Sequence, residues 1–358
     1  MSTDELINRI ALIWANQTRP RRAREVLDHY ASATEAIARH PDLVNREALQ
    51  HARNEYSFIQ QHQIQTFYYK DDNYPYRLAQ CVDAPLLLYG KGNMNVNPKR
   101  VVSVVGTRMP SERGKDLCRQ LVLNLASQVP DITIVSGLAY GIDVTAHRAA
   151  IEAGIPTIII PAHGLDRIYP TTNRQVAVQA LEHGGILTEY TSGTEPERYN
   201  FVARNRIIAG MADVIVIVES KAKGGSLITA QMALDYDREV CAFPGRPTDT
   251  TSAGCNGLIK KQQAQLIESA EDLIDLMKWQ RSGAHPNIQT SMLELTYNLT
   301  PQQQTLLSLL REAEDGLHIN QLVMETHMPY NEVSAELVML ELQDIVRSMP
   351  GGMWRTIK

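Results

Sequence analysis

Apolar residues in the middle of the chain gather in short, near-continuous runs rather than alternating with polar ones. The runs cover residues 101–105, 132–135, 156–160, 214–218 and 240–243. Each ends in a turn rich in Gly, Ser, Arg or Asn, and an amphipathic helix usually follows. A near-continuous apolar run marks a strand buried on both faces. Alternation of such strands with helices predicts an α/β fold built on a doubly wound parallel sheet. Ligands of such sheets bind outside the carboxyl ends of the strands, so the turns are where chemistry is expected.

The flanks read differently. Residues 4–15 place Leu6, Ile7, Ile10, Ile13 and Trp14 on one helical face, and Thr18-Arg19-Pro20 punctuates before a second helix through Leu27. Helices over 33–39 and 46–63 complete a helical module over residues 1–66. Its basic cluster, Arg19, Arg21, Arg22 and Arg24, reads as a solvated face. A loop-rich lead-in with one strand opens the sheet domain, which spans 67–280. Residues 281–294 are a linker by composition. Residues 295–358 read as three helices and a hairpin around Pro350-Gly351-Gly352, the plan of a winged helix. Its third helix carries Glu332, Glu336 and Glu341 and no Lys or Arg, which suits protein contact or packing better than a major groove.

With 358 residues, several domains are expected. The formal net charge of −5 does not advertise a polyanion binder, and the last 80 residues hold 5 basic and 9 acidic side chains. Any polyanion site must be a local concentration of Arg and Lys. Four cysteines without metal or pairing patterns fit reduced thiols, and neither a signal sequence nor an eighteen-residue apolar run is evident. A cytoplasmic protein without a membrane partner is expected.

No GxGxxG follows a strand, and neither a GxxxxGK[ST] loop nor a GxSxG elbow is present. Asp143 and His147, four apart on one helix, could offer two metal ligands, but no third is apparent. No metal or other cofactor is expected. Three turns instead suggest an anion-binding rim, namely Gly106-Thr107-Arg108, Ser136-Gly137 and Gly224-Gly225-Ser226 before a helix, and Arg246 of Pro244-Gly245-Arg246 ends a further strand. A glycine turn alone only satisfies backbone geometry; three on one edge are harder to dismiss. Then comes Arg198-Tyr199-Asn200-Phe201-Val202-Ala203-Arg204-Asn205-Arg206 before an apolar helix over 207–211. Guanidinium groups pair with phosphates and an exposed ring stacks on an unpaired base, which favours single strands over duplex. The competing reading has Arg204 and Arg206 bracing loops through Glu189 or Glu219, and at least one of them is expected to do so.

Taken together, these segments resemble the DNA-processing protein A family (DprA, also called Smf). The shared marks are Tyr74-Pro75, Ala84-Pro85-Leu86, Val105-Gly106-Thr107-Arg108, Ser136-Gly137-Leu138-Ala139, Gly141-Ile142-Asp143, Ala146-His147, Gly164-Leu165-Asp166, Tyr169-Pro170 and Asn173. Glu189, Arg204-Asn205-Arg206, Gly225-Ser226-Leu227-Ile228-Thr229-Ala230, Pro244-Gly245, Gly254 and Asn256 complete them. The resemblance implies an extended Rossmann-like domain that binds single-stranded DNA without sequence preference. It also implies an N-terminal SAM-like module, a C-terminal winged helix, a homodimer, and a non-enzymatic role protecting incoming DNA and loading the recombinase RecA in natural transformation.

By position, Arg108 looks like the family's principal phosphate-binding arginine, and the stretch with Arg198 and Phe201 like the part that contacts the strand. The expected DNA-contacting set is Gly106, Thr107, Arg108, Ser136, Gly137, Arg198, Phe201, Arg204, Asn205, Arg206, Gly225, Ser226 and Arg246. Tyr140 and Gly224 depart from residues frequent in the family, and the turn over 16–20 lacks the hairpin glycines. The alternative is a Rossmann-like nucleotide hydrolase of the lysine-decarboxylase-like group. Its PGGxGT-type motif with a following Glu is not matched by Gly224-Gly225-Ser226-Leu227-Ile228-Thr229-Ala230.

Overall fold

In a computed structural model the described residues are 2–17, 19–281, 299–313, 316–343, 345–349 and 352–357. They form two compact units, 1–283 and 284–358. Most of the expected linker and the hairpin residues Pro350 and Gly351 lie outside the described residues.

The first unit is organised by a mostly parallel sheet. Its strands are β1 (Gln65–Tyr68), β2 (Leu87–Gly92), β3 (Arg100–Val105), β4 (Ile132–Ser136), β5 (Thr157–Ile159), β6 (Gly185–Thr188), β7 (Val214–Ile217), β8 (Glu239–Ala242) and β9 (Gln265–Leu266). They lie in the order β1-β2-β6-β5-β4-β3-β7-β8-β9. β6 through β9 pair in parallel, whereas β2 joins β6 antiparallel and β1 joins β2 antiparallel. The five apolar runs appear as β3, β4, β5, β7 and β8. The lead-in holds one strand more than expected, since β1 forms there beside β2, and β6 and β9 also go beyond the runs. The chain winds from β3 to β6 in one direction and then crosses to β7 on the other side of β3. The switch point therefore lies between β3 and β7.

Both faces of the sheet are covered. Val105, Val135, Ile158, Ile207, Ile208 and Ile215 share one core cluster, while Val104, Leu121, Leu125, Ile134, Ile142 and Val216 share another. The N-terminal helices Thr3–Ala15, Pro20–His29, Ala33–Arg39 and Arg46–His62 start at Ser2, Arg19, Ser32 and Asn45, and three of these four caps accept a backbone N–H. Their apolar faces share a core with Tyr68, Leu86, Leu87 and Tyr89 of the antiparallel extension.

One helix begins earlier than expected. Arg198–Gly210 is a single helix rather than a basic loop followed by a short apolar helix. Its buried face, Asn200, Arg204, Ile207 and Ile208, follows the i, i+4, i+7, i+8 spacing of a packed helix. Two of those four residues are polar, so the periodicity is invisible in hydropathy.

The second unit contains the helices Pro301–Glu312, Ile319–Thr326 and Tyr330–Leu342 with strands β10 (Leu317–His318), β11 (Val346–Met349) and β12 (Met353–Thr356) in the order β10-β12-β11. Leu306, Leu310, Leu322, Val333, Leu337 and Leu340 close its core. The third helix leaves Val338, Met339 and Leu342 exposed. Among the described residues no helix is long and apolar enough to cross a membrane.

Candidate nucleic-acid interface

The loop after β3 is pinned at both ends. Thr107 N donates to Glu219 O at 2.8 Å, and Ile142 N donates to Thr107 O at 3.2 Å. A Cβ on Gly141, whose φ is +80°, would lie 2.3 Å from Thr107 O, so the loop rests directly on that glycine. At the far end Ser111 donates to the Glu219 carboxylate through its N (2.8 Å) and its Oγ (2.5 Å). Between these anchors Arg108 and Met109 face solvent.

The Arg108 guanidinium carbon stands 5.1 Å from the centroid of the Phe201 ring. Phe201 in turn meets Tyr169 edge-on with centroids 5.9 Å apart. Tyr169 N donates to Nε2 of the buried His163 at 3.1 Å, which holds its loop. Arg198, exposed at the start of the helix, lies one turn before Phe201 on the same face. Arg108, Phe201 and Tyr169, from the ends of β3, β6 and β5, thus meet at the carboxyl edge, with Arg198 on the same helix face as Phe201. This arrangement suits a phosphate next to a stacked base.

Several expected contacts point inward instead. Arg204 is 3 % exposed, and its Nη1 donates to Ile160 O. A Cβ on Gly137 would sit 1.9 Å from that Nη1, so Gly137 is required by the arginine beneath it. Burial pulls the Arg204 pKa down to about 10, which leaves it charged at neutral pH. Arg206 forms an ion pair with Glu189 and takes the bracing role. Ser136 is fully buried and its Oγ donates to Val104 O at 2.6 Å.

The backbone amides are committed as well. Asp143, buried at the foot of the next helix, accepts from the N–H groups of Ala139 and Gly137, and the Thr107 N–H goes to Glu219. Gly106 is a packing glycine, since a Cβ there would reach within 2.6 Å of Ile142. As direct DNA contacts, Ser136, Gly137, Arg204 and Arg206, and the amide expected from Thr107, are corrected. A buried group with an internal partner is not available to a strand. Asn205 remains half-buried on the outward side of its helix.

The loops after β7 and β8 form a second cluster on the same edge. Gly254 N donates to Ser220 O at 2.7 Å, and the Asn256 side chain brackets Gly245 through bonds of 3.1 and 2.9 Å. Ser226 Oγ bonds to Ser220 Oγ at 2.8 Å, so it is structural. Gly225 is exposed at the start of the helix Ser226–Asp235, and Lys221, Lys223 and Arg246 are exposed nearby in the chain. Lys221 and Lys223 were absent from the expected set although they share a turn with Gly225. The loop that precedes Arg198 carries another unforeseen brace. Buried Glu55 accepts from Ser192 N at 2.9 Å and from Ser192 Oγ, and His51 Nε2 bonds to Thr191 Oγ1 at 3.1 Å.

His147 is fully buried with Nδ1 2.7 Å from Thr157 Oγ1, and burial pushes its pKa down to about 3. With Asp143 engaged by amides, the two do not make a metal site, and among the described residues no three potential ligands cluster.

The sequence matches the family described as DNA recombination-mediator protein A over residues 65–278, and the DprA winged helix domain over residues 294–352. The chain belongs to the DNA recombination-mediator protein A family. Relatives include the Smf protein of Synechocystis, 33 % identical over 83 % of this chain and 82 % of that protein. DprA of Streptococcus pneumoniae is 39 % identical over 57 % of this chain and 71 % of that protein. Among solved structures, S. pneumoniae DprA superposes with a TM-score of 0.59 at 30 % identity, covering 77 % of this chain and 94 % of the other. Helicobacter pylori DprA, described for its single-stranded DNA binding mode, gives 0.55 at 32 % identity over 61 % and 97 %.

Proposed function

We propose that this DprA-family protein is a cytoplasmic, non-enzymatic single-stranded DNA-binding mediator. It acts as a homodimer that protects incoming DNA and helps load RecA in natural transformation. The single observation that carries the binding reading is the exposed Arg108 beside Phe201, with Arg198 one helical turn away. Arg108 and Arg198 neutralise phosphates with release of counterions, and Phe201 and Tyr169 receive a base that only an unpaired strand can offer. Gly225, Asn205 and Arg246, with Lys221 and Lys223, extend the positive edge along the strand's path.

The relation to the H. pylori protein supports the same ligand. The outward apolar residues Val338, Met339 and Leu342, on a helix that also bears Glu332, support a protein-contacting role for the winged helix. The test is a salt-titrated comparison of matched single- and double-stranded oligonucleotides, run beside a nucleotide-hydrolysis assay. Preferential single-strand binding without turnover is expected. Arg108→Ala should weaken binding equally across sequences and reduce the salt slope by about 0.7 for the lost phosphate contact. Equal duplex affinity, or nucleotide turnover, overturns the reading.

A further inference from the structure

We propose that Glu219 is a positioning residue for Arg108: its main-chain oxygen fixes the near end of the strand-facing loop and its buried carboxylate the far end. The inference rests on the reading of Arg108 as a phosphate contact. Glu219 follows β7 across the switch point and is 5 % exposed. Its main-chain oxygen accepts from Thr107 N at 2.8 Å, immediately before Arg108. Its carboxylate accepts from Ser111 N at 2.8 Å and Ser111 Oγ at 2.5 Å, three residues after Arg108.

Nearby positions are shaped around this residue. A Cβ on Gly114 would lie 2.5 Å from the Glu219 carboxylate, and one on Gly106 would lie 3.0 Å from its carbonyl oxygen. The carboxylate lies against the first turn of the helix Glu112–Gln128, where backbone donors and the helix dipole favour a negative charge. It therefore holds the loop by local interactions, at the cost of a negative charge beside a rim that must attract phosphate.

That cost sets the sign of the test. Glu219→Gln removes one negative charge from a chain of net −5. On charge alone it should tighten binding to a polyanion. A positioning role requires the opposite. Glu219→Gln should weaken single-strand affinity roughly three- to tenfold, because one of the two acceptors facing Ser111 becomes an NH2 and the remaining bond loses its charge assistance; Glu219→Ala, which removes both acceptors, should weaken it further. The loss should vanish in an Arg108→Ala background, since the carboxylate acts through that side chain. Ser111→Ala, which removes one donor to Glu219 and the N-cap of the helix Glu112–Gln128, should give a smaller loss of the same kind and serves if Glu219→Ala does not fold.

A second measurement needs no DNA. Phe201 should impose a ring-current shift on the Arg108 side-chain NMR signals, and that shift should shrink in Glu219→Gln. Tighter binding, losses that add to those of Arg108→Ala, or an unchanged shift each overturn the inference. If the wild-type chain does not bind single strands, the functional reading falls, and the ring-current shift alone decides the role of Glu219.

Discussion

Phe201→Ala separates two contributions that the geometry superposes. The ring is half-buried, with the Arg108 guanidinium 5.1 Å from its centroid and Tyr169 meeting it edge-on. Its removal deprives a bound base of a stacking partner, worth about 1–3 kcal/mol. It also releases Arg108 from a cation–π contact worth about 0.5–1 kcal/mol at an exposed site. On a normal strand the two losses together reach about 1.5–4 kcal/mol, roughly tenfold to several hundredfold in Kd. On an abasic strand of equal length only the second loss remains, about two- to fivefold.

Fluorescence anisotropy with both strands at one salt concentration measures the difference directly. Arg198→Ala is the control, because a phosphate contact should cost the same on either strand. Equal losses for Phe201→Ala on the two strands would refute base stacking and leave the ring with the single task of holding Arg108.

Arg206→Ala should act on stability rather than on DNA, because it leaves the half-buried Glu189 carboxylate without its partner, a loss of about 1–3 kcal/mol seen as a lowered Tm. A folded variant with uniformly weakened DNA binding would return Arg206 to the interface. Gly137→Ala should cost about 1–3 kcal/mol in urea denaturation, since the new methyl overlaps the Arg204 guanidinium; unchanged stability would mean that Arg204 shifts without cost. His147 stays neutral in the folded state down to about pH 3 and protonates in the unfolded chain near pH 6.5, so its contribution is full above pH 6.5 and is lost as pH falls through that window. Between pH 6.5 and 5 the loss is about 2 kcal/mol. Buried Asp143 and Glu55, whose carboxyls are held above their ordinary range mainly by burial, act in the opposite sense. The difference between wild type and His147→Gln isolates the histidine, and identical acid limbs would refute its assignment. Deleting residues 295–358 should leave most single-strand affinity, and its disappearance would place a strand contact in the winged helix.

The five central strands were legible because a strand covered on both faces is apolar at most positions, a pattern that a single sequence displays openly. β6 and β9 were not: β6 holds only Ile186 and Leu187 between Gly185 and Thr188, and β9 is two residues long with Leu266 exposed at the sheet's edge. The basic stretch misled for a different reason: charge is visible in a sequence, but its partner is not. Arg198, Phe201, Val202 and Asn205 fall on one side of the helix at i, i+3, i+4 and i+7, whereas Arg204 sits with Ile207 and Ile208 on the other. Once the helix is known to begin at Arg198, its phase assigns Arg204 to the interior; the hydropathy pattern cannot supply that phase because Asn200 and Arg204 stand where apolar residues usually do.

The glycine turns follow the same logic. A glycine that exposes a backbone donor and one that makes room for a neighbour look identical in sequence. Here Gly137 makes room for a guanidinium and Gly114 for a carboxylate, while Asp143 and Glu219 take amide protons that a phosphate would otherwise have received. In the proposed binding mode the attraction for phosphate at the β3 and β6 ends therefore falls to Arg108 and Arg198 rather than to the backbone. Side chains at that edge depend on loop position more than fixed amides do. For that reason the buried carboxylate that holds the Arg108 loop should matter to binding, although it never meets the strand.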